Sequence, residues 1–181
     1  VKPRRNQSRS LLAQDIVVLA KLISSRGRRP PLAQLSVELS QSVSQIHLSL
    51  KRLTDARLID AVGRPNLRAV EEFLVHGVKY AFPPRRGEPT RGMPTAYAAQ
   101  PLSEHIEAGV DLPPVWPFAE GTVRGITFEP LHKTVPQAAA KDPVLYELLA
   151  LIDGLRDGRV RERQIAEREL GTRLKRLLHA G

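Results

Sequence analysis

Ser44, Gln45, Leu48, Lys51 and Arg52 recur at intervals of three and four within the run SVSQIHLSLKRL. In a helix that spacing gathers them on one side. The chemistry such a side offers is recognition. A Gln amide can pair bidentately with adenine, a Leu can touch a thymine methyl, and Lys or Arg can neutralise phosphates. Catalytic chemistry has less to stand on, because there is no Gly-rich phosphate loop, His-x-x-x-His pair or nucleophile elbow. Glu104, His105 and Glu107 could share a helix face and hold a metal, but three common polar types at one short spacing read more simply as a solvated surface. Thr90-Arg91-Gly92 and Arg124-Gly125 could form anion-binding turns, whereas His76 and His132 have no local partners. No catalytic residue, metal site or cofactor is expected.

The elements that must position those side chains follow from periodicity. Val43, Ile46, Leu50 and Leu53 recur at helical spacing and are expected to face inward. Gln41, Ser44, Gln45, Leu48, Lys51 and Arg52 then lie on the opposite side, and Ser42 is the expected N-cap. Just upstream, Leu32, Leu35 and Leu39 mark a first helix, and Ser40, Gln41 and Ser42 break the pattern, so residues 32–59 read as a helix-turn-helix leading into a short strand. Ser10 can cap an earlier helix in which Leu12, Ile16, Leu19 and Ile23 form one stripe that Leu11 and Val18 widen. This helix is too apolar to stand alone. It is expected to pack behind the helix-turn-helix and to offer surplus apolar surface to a second subunit. SSRGRRPP between the first two helices is a turn carrying Arg26, Arg28 and Arg29. After the helix-turn-helix, Leu58 and Ile59 resume an extended pattern and Gly63 to Pro65 makes a tight turn, where a wing would lie. Asn66 then either caps a helix with Leu67, Val70, Phe73 or Leu74, and Val78 inward, or Leu67 to Val70 is a returning wing strand.

Charge agrees with this organisation. Residues 1–68 hold 13 of the 28 Lys and Arg but only 4 of the 19 Asp and Glu, so the whole excess of +9 sits in the first third. A basic module beside a neutral remainder is the electrostatic footprint of nucleic-acid binding. With zero cysteines, disulfides and thiolate zinc sites are excluded and a reducing, cytoplasmic setting is expected; no apolar run suits a membrane helix. Residues 1–9, with Lys2, Arg4, Arg5 and Arg9, read as a flexible basic arm.

Ten of the 15 prolines fall between residues 82 and 136, which argues against long helices there. Tyr97, Trp116, Phe118 and Phe128 in the same stretch suggest an extended segment that wraps over helices, with short strands at 78–82 and 123–128 and a ligand pocket conceivable near Trp116, Phe118 and Phe128. Asp142 followed by Pro143 is a strong helix start. The apolar run from Val144 to Ile152, ended or weakened by Gly154 or Gly158, and the charge-alternating run to Leu178 suggest an antiparallel helical hairpin.

The stretch from Ser42 through Ile46, Leu50 and Leu53 to Asp55-Ala56-Arg57-Leu58-Ile59 resembles the recognition helix and following strand of bacterial winged helix-turn-helix regulators of the MarR and ArsR kind. The resemblance covers residues 11–65, and two positions depart from its pattern: Arg57 stands where glycine usually ends the helix, and Ser40 where many turns carry glycine. The expected fold is mainly α: a flexible arm at 1–9, a winged helix-turn-helix at 10–80, a proline-rich wrapping segment at 81–138 and a C-terminal dimerisation or partner-binding region at 139–181. The expected function is sequence-specific binding of double-stranded DNA by a homodimeric transcription regulator, a repressor and not an enzyme. Ser44, Gln45 and Leu48 would contact bases, and Arg26, Arg28, Arg29, Gln41, Ser42, Lys51, Arg52 and Arg64 the DNA backbone. The alternative is an antitoxin-like or defence-system protein whose C-terminal region binds a protein partner and whose DNA binding is autoregulatory.

Overall fold

The computed structural model describes residues 10–107 and 109–178; the basic arm expected at 1–9 lies outside them. Its first helix, α1 (Ala13–Ser24), is buried continuously from Asp15 to Ile23. A helix buried on so many sides lies in an interior, and α1 packs against α3 (Val43–Asp55), α7 (Pro143–Asp157) and α8 (Val160–Leu178). Two expectations are corrected here. The surface proposed for a second subunit is covered within the chain itself. The N-cap position is Leu12 rather than Ser10, and the Asp15 carboxylate accepts from the Leu12 N–H at 2.8 Å.

Helix α2 (Leu32–Leu39) buries Leu35 and Leu39 against α3, as the spacing predicts. After α3, Asp60 organises the tight turn. Its carboxylate accepts from the Val62 and Arg64 N–H groups at 3.0 and 2.8 Å, and Gly63 takes φ +89°, which favours a residue without Cβ. A single antiparallel bridge, Ile59 to Pro65, closes the turn. Asn66 then caps a helix by accepting from Ala69 N–H at 3.3 Å, which decides between the two readings of residues 67–70. That helix, α4 (Leu67–Glu72), continues through a π-helical turn (Phe73–Gly77) into α5 (Val78–Ala81). Residues 78–81 are therefore helical, not the strand expected there.

The proline-rich stretch does not wrap; it folds on itself. β1 (Arg86–Pro94) pairs antiparallel with both β2 (Pro114–Pro117) and β3 (Val123–Phe128), and β2 pairs parallel with β3, closing a small three-stranded ring. The prolines permit this because of where they fall. Pro94, Pro114 and Pro117 are strand ends, and Pro89 sits at the register shift after Arg86, positions that require no ladder donor. β3 matches the strand expected at 123–128. Trp116 and Phe128 are closed into the core.

Pro136, counted as a helix breaker, instead opens the unanticipated α6 (Val135–Lys141) in its first turn. Asp142 caps α7 by accepting from Leu145 N–H at 3.0 Å, with Pro143 as first helical residue. Gly158 ends α7, and Arg173 of α8 reaches Glu147 of α7 at 2.9 Å, as an antiparallel hairpin requires. Gly154 is interior to α7, and a Cβ there would lie 2.6 Å from Leu102 Cδ1. One continuous apolar cluster runs from Ile16 to Leu177 and takes in Trp116 and Phe128. The chain is thus mostly helical, with one small sheet built onto the same core.

Candidate nucleic-acid interface

The geometry of α3 begins at its cap. Ser42 Oγ accepts from Gln45 N–H at 3.2 Å, and Gln45 Oε1 accepts from Ser42 N–H at 3.0 Å and from the Ser42 hydroxyl at 3.1 Å. This reciprocal arrangement is a capping box. It occupies the carbonyl end of the Gln45 amide, so bidentate pairing with adenine would require giving up the cap. Ser42 is likewise engaged in holding the helix start.

Ser44, Gln45, His47 and Lys51 are exposed and Leu48 is half-buried, so the side expected to face solvent does so at these positions. Val43, expected inward, is 46% exposed. Ile46, Leu50 and Leu53 are buried as expected.

Two predicted contacts are overturned. Arg52 is buried and forms a two-pronged ion pair with Asp15 of α1, Nε to Oδ2 at 2.7 Å and Nη2 to Oδ1 at 2.6 Å, with Ser49 Oγ at 3.3 Å from Nη2. The bonds to Asp15 raise the Arg52 pKa further, against the cost of burial. Arg52 lies next to Ser49 on the helix circumference, at the margin of the buried face, and Asp15 draws it inward. Gln41 is also buried: Ser40, left-handed at φ +52°, redirects the chain, and Ser36 Oγ donates to the Gln41 carbonyl oxygen at 2.5 Å. Neither Arg52 nor Gln41 is open to a phosphate.

Arg26, Arg28, Arg29 and Arg64 are exposed. The loop between α1 and α2 lies against the tight turn, because a Cβ on Gly63 would fall 2.6 Å from Arg29 Cδ. The aliphatic stem of Arg29 therefore rests on Gly63, the residue before exposed Arg64, so the two arginine-bearing segments meet. Arg57, exposed and left-handed at φ +60° just past α3, and exposed Arg68 were not among the expected contacts. Only their types and nearness in sequence hinted at them.

An ion network fixes α2 in place. Lys21 Nζ lies 3.0 Å from Glu38 and 2.7 Å from Asp142, and Ser24 Oγ donates to Asp142 at 3.0 Å. Burial works against all three charges. The bonds among them outweigh it, helped by Gln34 donating to Glu38 and Leu145 N–H to Asp142, so the Lys21 pKa is raised and those of Glu38 and Asp142 are lowered. These contacts tie the helix-turn-helix to α1 and to the start of α7.

Glu104, His105 and Glu107 form no metal cluster; among the described residues no group of three such side chains could hold an ion, and His105 Nε2 instead lies 3.3 Å from Glu169 of α8. Among the described residues no helix is long and apolar enough to cross a membrane. No protein-family model, curated protein or solved structure matches the chain.

Proposed function

We propose that this chain binds double-stranded DNA in a sequence-specific manner as a cytoplasmic transcription regulator of winged helix-turn-helix type, most simply a repressor that occludes its site. α3 is the reading helix and the Asp60–Pro65 turn is a minimal wing. Ser44 and Leu48 are the base-reading residues, Gln45 contributing through the amide nitrogen that its capping bonds leave outward. Lys51, Arg28, Arg29 and Arg64 hold phosphates. The observation that carries the reading is the seating of Arg29 on Gly63, which brings the arginine-bearing loop before α2 against the turn that follows α3 and carries exposed Arg64. A helix in the major groove flanked by cations meeting the sugar-phosphate strand is the arrangement such binding needs. A single reading helix spans few base pairs, so a homodimer on a two-fold site is expected, built on surfaces other than the interior α1.

Selection of duplexes from a random pool, followed by titration at two salt concentrations, tests this. Lys51→Ala and Arg29→Ala should weaken binding to every duplex and lower the salt slope by about one each. Leu48→Ala should relax preference at a single position while leaving the slope unchanged. Selected and random duplexes bound equally, with all three variants behaving as the parent, would overturn the proposal.

A further inference from the structure

The three-stranded ring carries a second basic feature on elements separate from α3. Arg91 of β1 and Arg124 of β3 are directly opposite in the antiparallel register, flanked by Thr90 opposite Gly125 and Gly92 opposite Val123. They lie in paired strands rather than in the turns that the sequence suggested. Directly opposed residues project from the same face with Cβ atoms about 4.5–5.5 Å apart, and like charges so placed destabilise the pair. Both arginines are exposed, and neither has a carboxylate partner among the described residues. The fold thus sets two like charges side by side with no carboxylate paired to either among the described residues.

The backbone beneath them is held tightly. A Cβ on Gly92 would lie 2.0 Å from the Trp116 carbonyl oxygen, and one on Gly125 would lie 2.2 Å from that of Pro113. Each arginine is followed by a glycine that lets the strands close up, so the backbone carrying the two arginines is held at close spacing. With Pro89, Thr90 and Thr122 they line a cavity of about 420 Å³, within the range of small-molecule sites. The lining residues are two arginines, two threonines and a proline, with no acidic group to repel an anion and no aromatic ring to stack a base.

We propose that Arg91 and Arg124 form a binding site for the phosphoryl group of a small molecule, with the Thr122 hydroxyl as an additional donor. A phosphoryl group presents enough oxygens for both forks to engage it in two-pronged fashion, whereas a single carboxylate saturates one fork. The site is independent of DNA recognition by α3.

Calorimetric titration of the full chain with inorganic phosphate and with pyrophosphate, at constant ionic strength set by chloride, tests it. Saturable binding is expected, weakened about tenfold or more in Arg124→Gln. Arg124→Lys, which keeps the charge but loses the fork, should be intermediate, and Arg176→Gln, at an exposed position of α8, should bind as the parent does. In phosphate-free buffer Arg124→Gln should melt no lower than the parent, since the opposed charge is gone; Trp116 emission reports that the ring is intact. Equal phosphate affinity in the parent and in Arg91→Gln/Arg124→Gln would overturn the proposal. So would binding of a short DNA duplex through Arg124 with no response to phosphate or pyrophosphate.

Discussion

Lys51 and Arg52 are adjacent, carry the same charge and have opposite fates. Lys51 is exposed, while Arg52 turns in to meet Asp15, which is itself fully buried. Removing one partner of a buried ion pair leaves the other charged and unpaired, so Arg52→Ala should cost about 3–5 kcal/mol of stability. Lys51→Ala, at a surface site, should stay within about 0.5 kcal/mol. Urea denaturation of the two variants decides the matter: equal midpoints would show that the ion pair contributes nothing. The sequence displayed the basic doublet but not which member is spoken for, since the partner lies 37 residues away. Gln45 was legible in a different sense. A Ser followed three residues later by Gln is a capping signature, and the residue was nonetheless read only as a base contact. Gln41 had no such signal, because its burial depends on a left-handed residue before it.

At the scale of elements, the two places where the chain departs from the winged-helix pattern are both left-handed. Ser40 ends α2 at φ +52° and Arg57 follows α3 at φ +60°. The backbone adopts what glycine would adopt, without the glycine. A non-glycine residue there costs about 1–2 kcal/mol, partly offset by the lower entropy of its unfolded state. Ser40→Gly and Arg57→Gly should therefore each stabilise the protein by about 0.5–1 kcal/mol, seen as a higher denaturant midpoint with unchanged slope. A lower midpoint in both would mean that the native side chains make contacts worth more than the strain. Helices were the legible elements: caps at Ser42, Asn66 and Asp142 and the stripes of α2, α3 and α7 were all readable locally. The ring was not, apart from β3. Its prolines look like breakers in sequence and become strand ends and a bulge only once three distant segments close on one another.

The whole molecule resists the division into regions that composition suggested. α1 comes from the basic third and α7 from the neutral remainder, yet they share one apolar cluster, and α1 is covered from Asp15 to Ile23 within the chain itself. The ring joins the same core through a buried polar anchor. Asp153 of α7 accepts from Thr95 Oγ1 at 2.8 Å and Trp116 Nε1 at 2.7 Å, and pairs with Arg156 at 2.6 Å. Arg156 in turn donates to the carbonyl oxygens of Phe82 and Glu129, which bracket the ring. In Asp153→Asn one oxygen must serve Thr95 and Trp116, and the new NH2 meets the Arg156 guanidinium, leaving a buried cation without its counter-charge at a cost of about 3–5 kcal/mol. If ring and helices are one cooperative unit, Trp116 fluorescence and far-ultraviolet circular dichroism should trace the same unfolding curve in the parent, and Asp153→Asn should move both to lower denaturant together. Should the fluorescence transition move alone, the ring would be a separate unit resting on the helices. The proposed phosphoryl site would then have no energetic route to α3. A joint shift instead means that a ligand bound at Arg91 and Arg124 stabilises the fold that holds α3 in place.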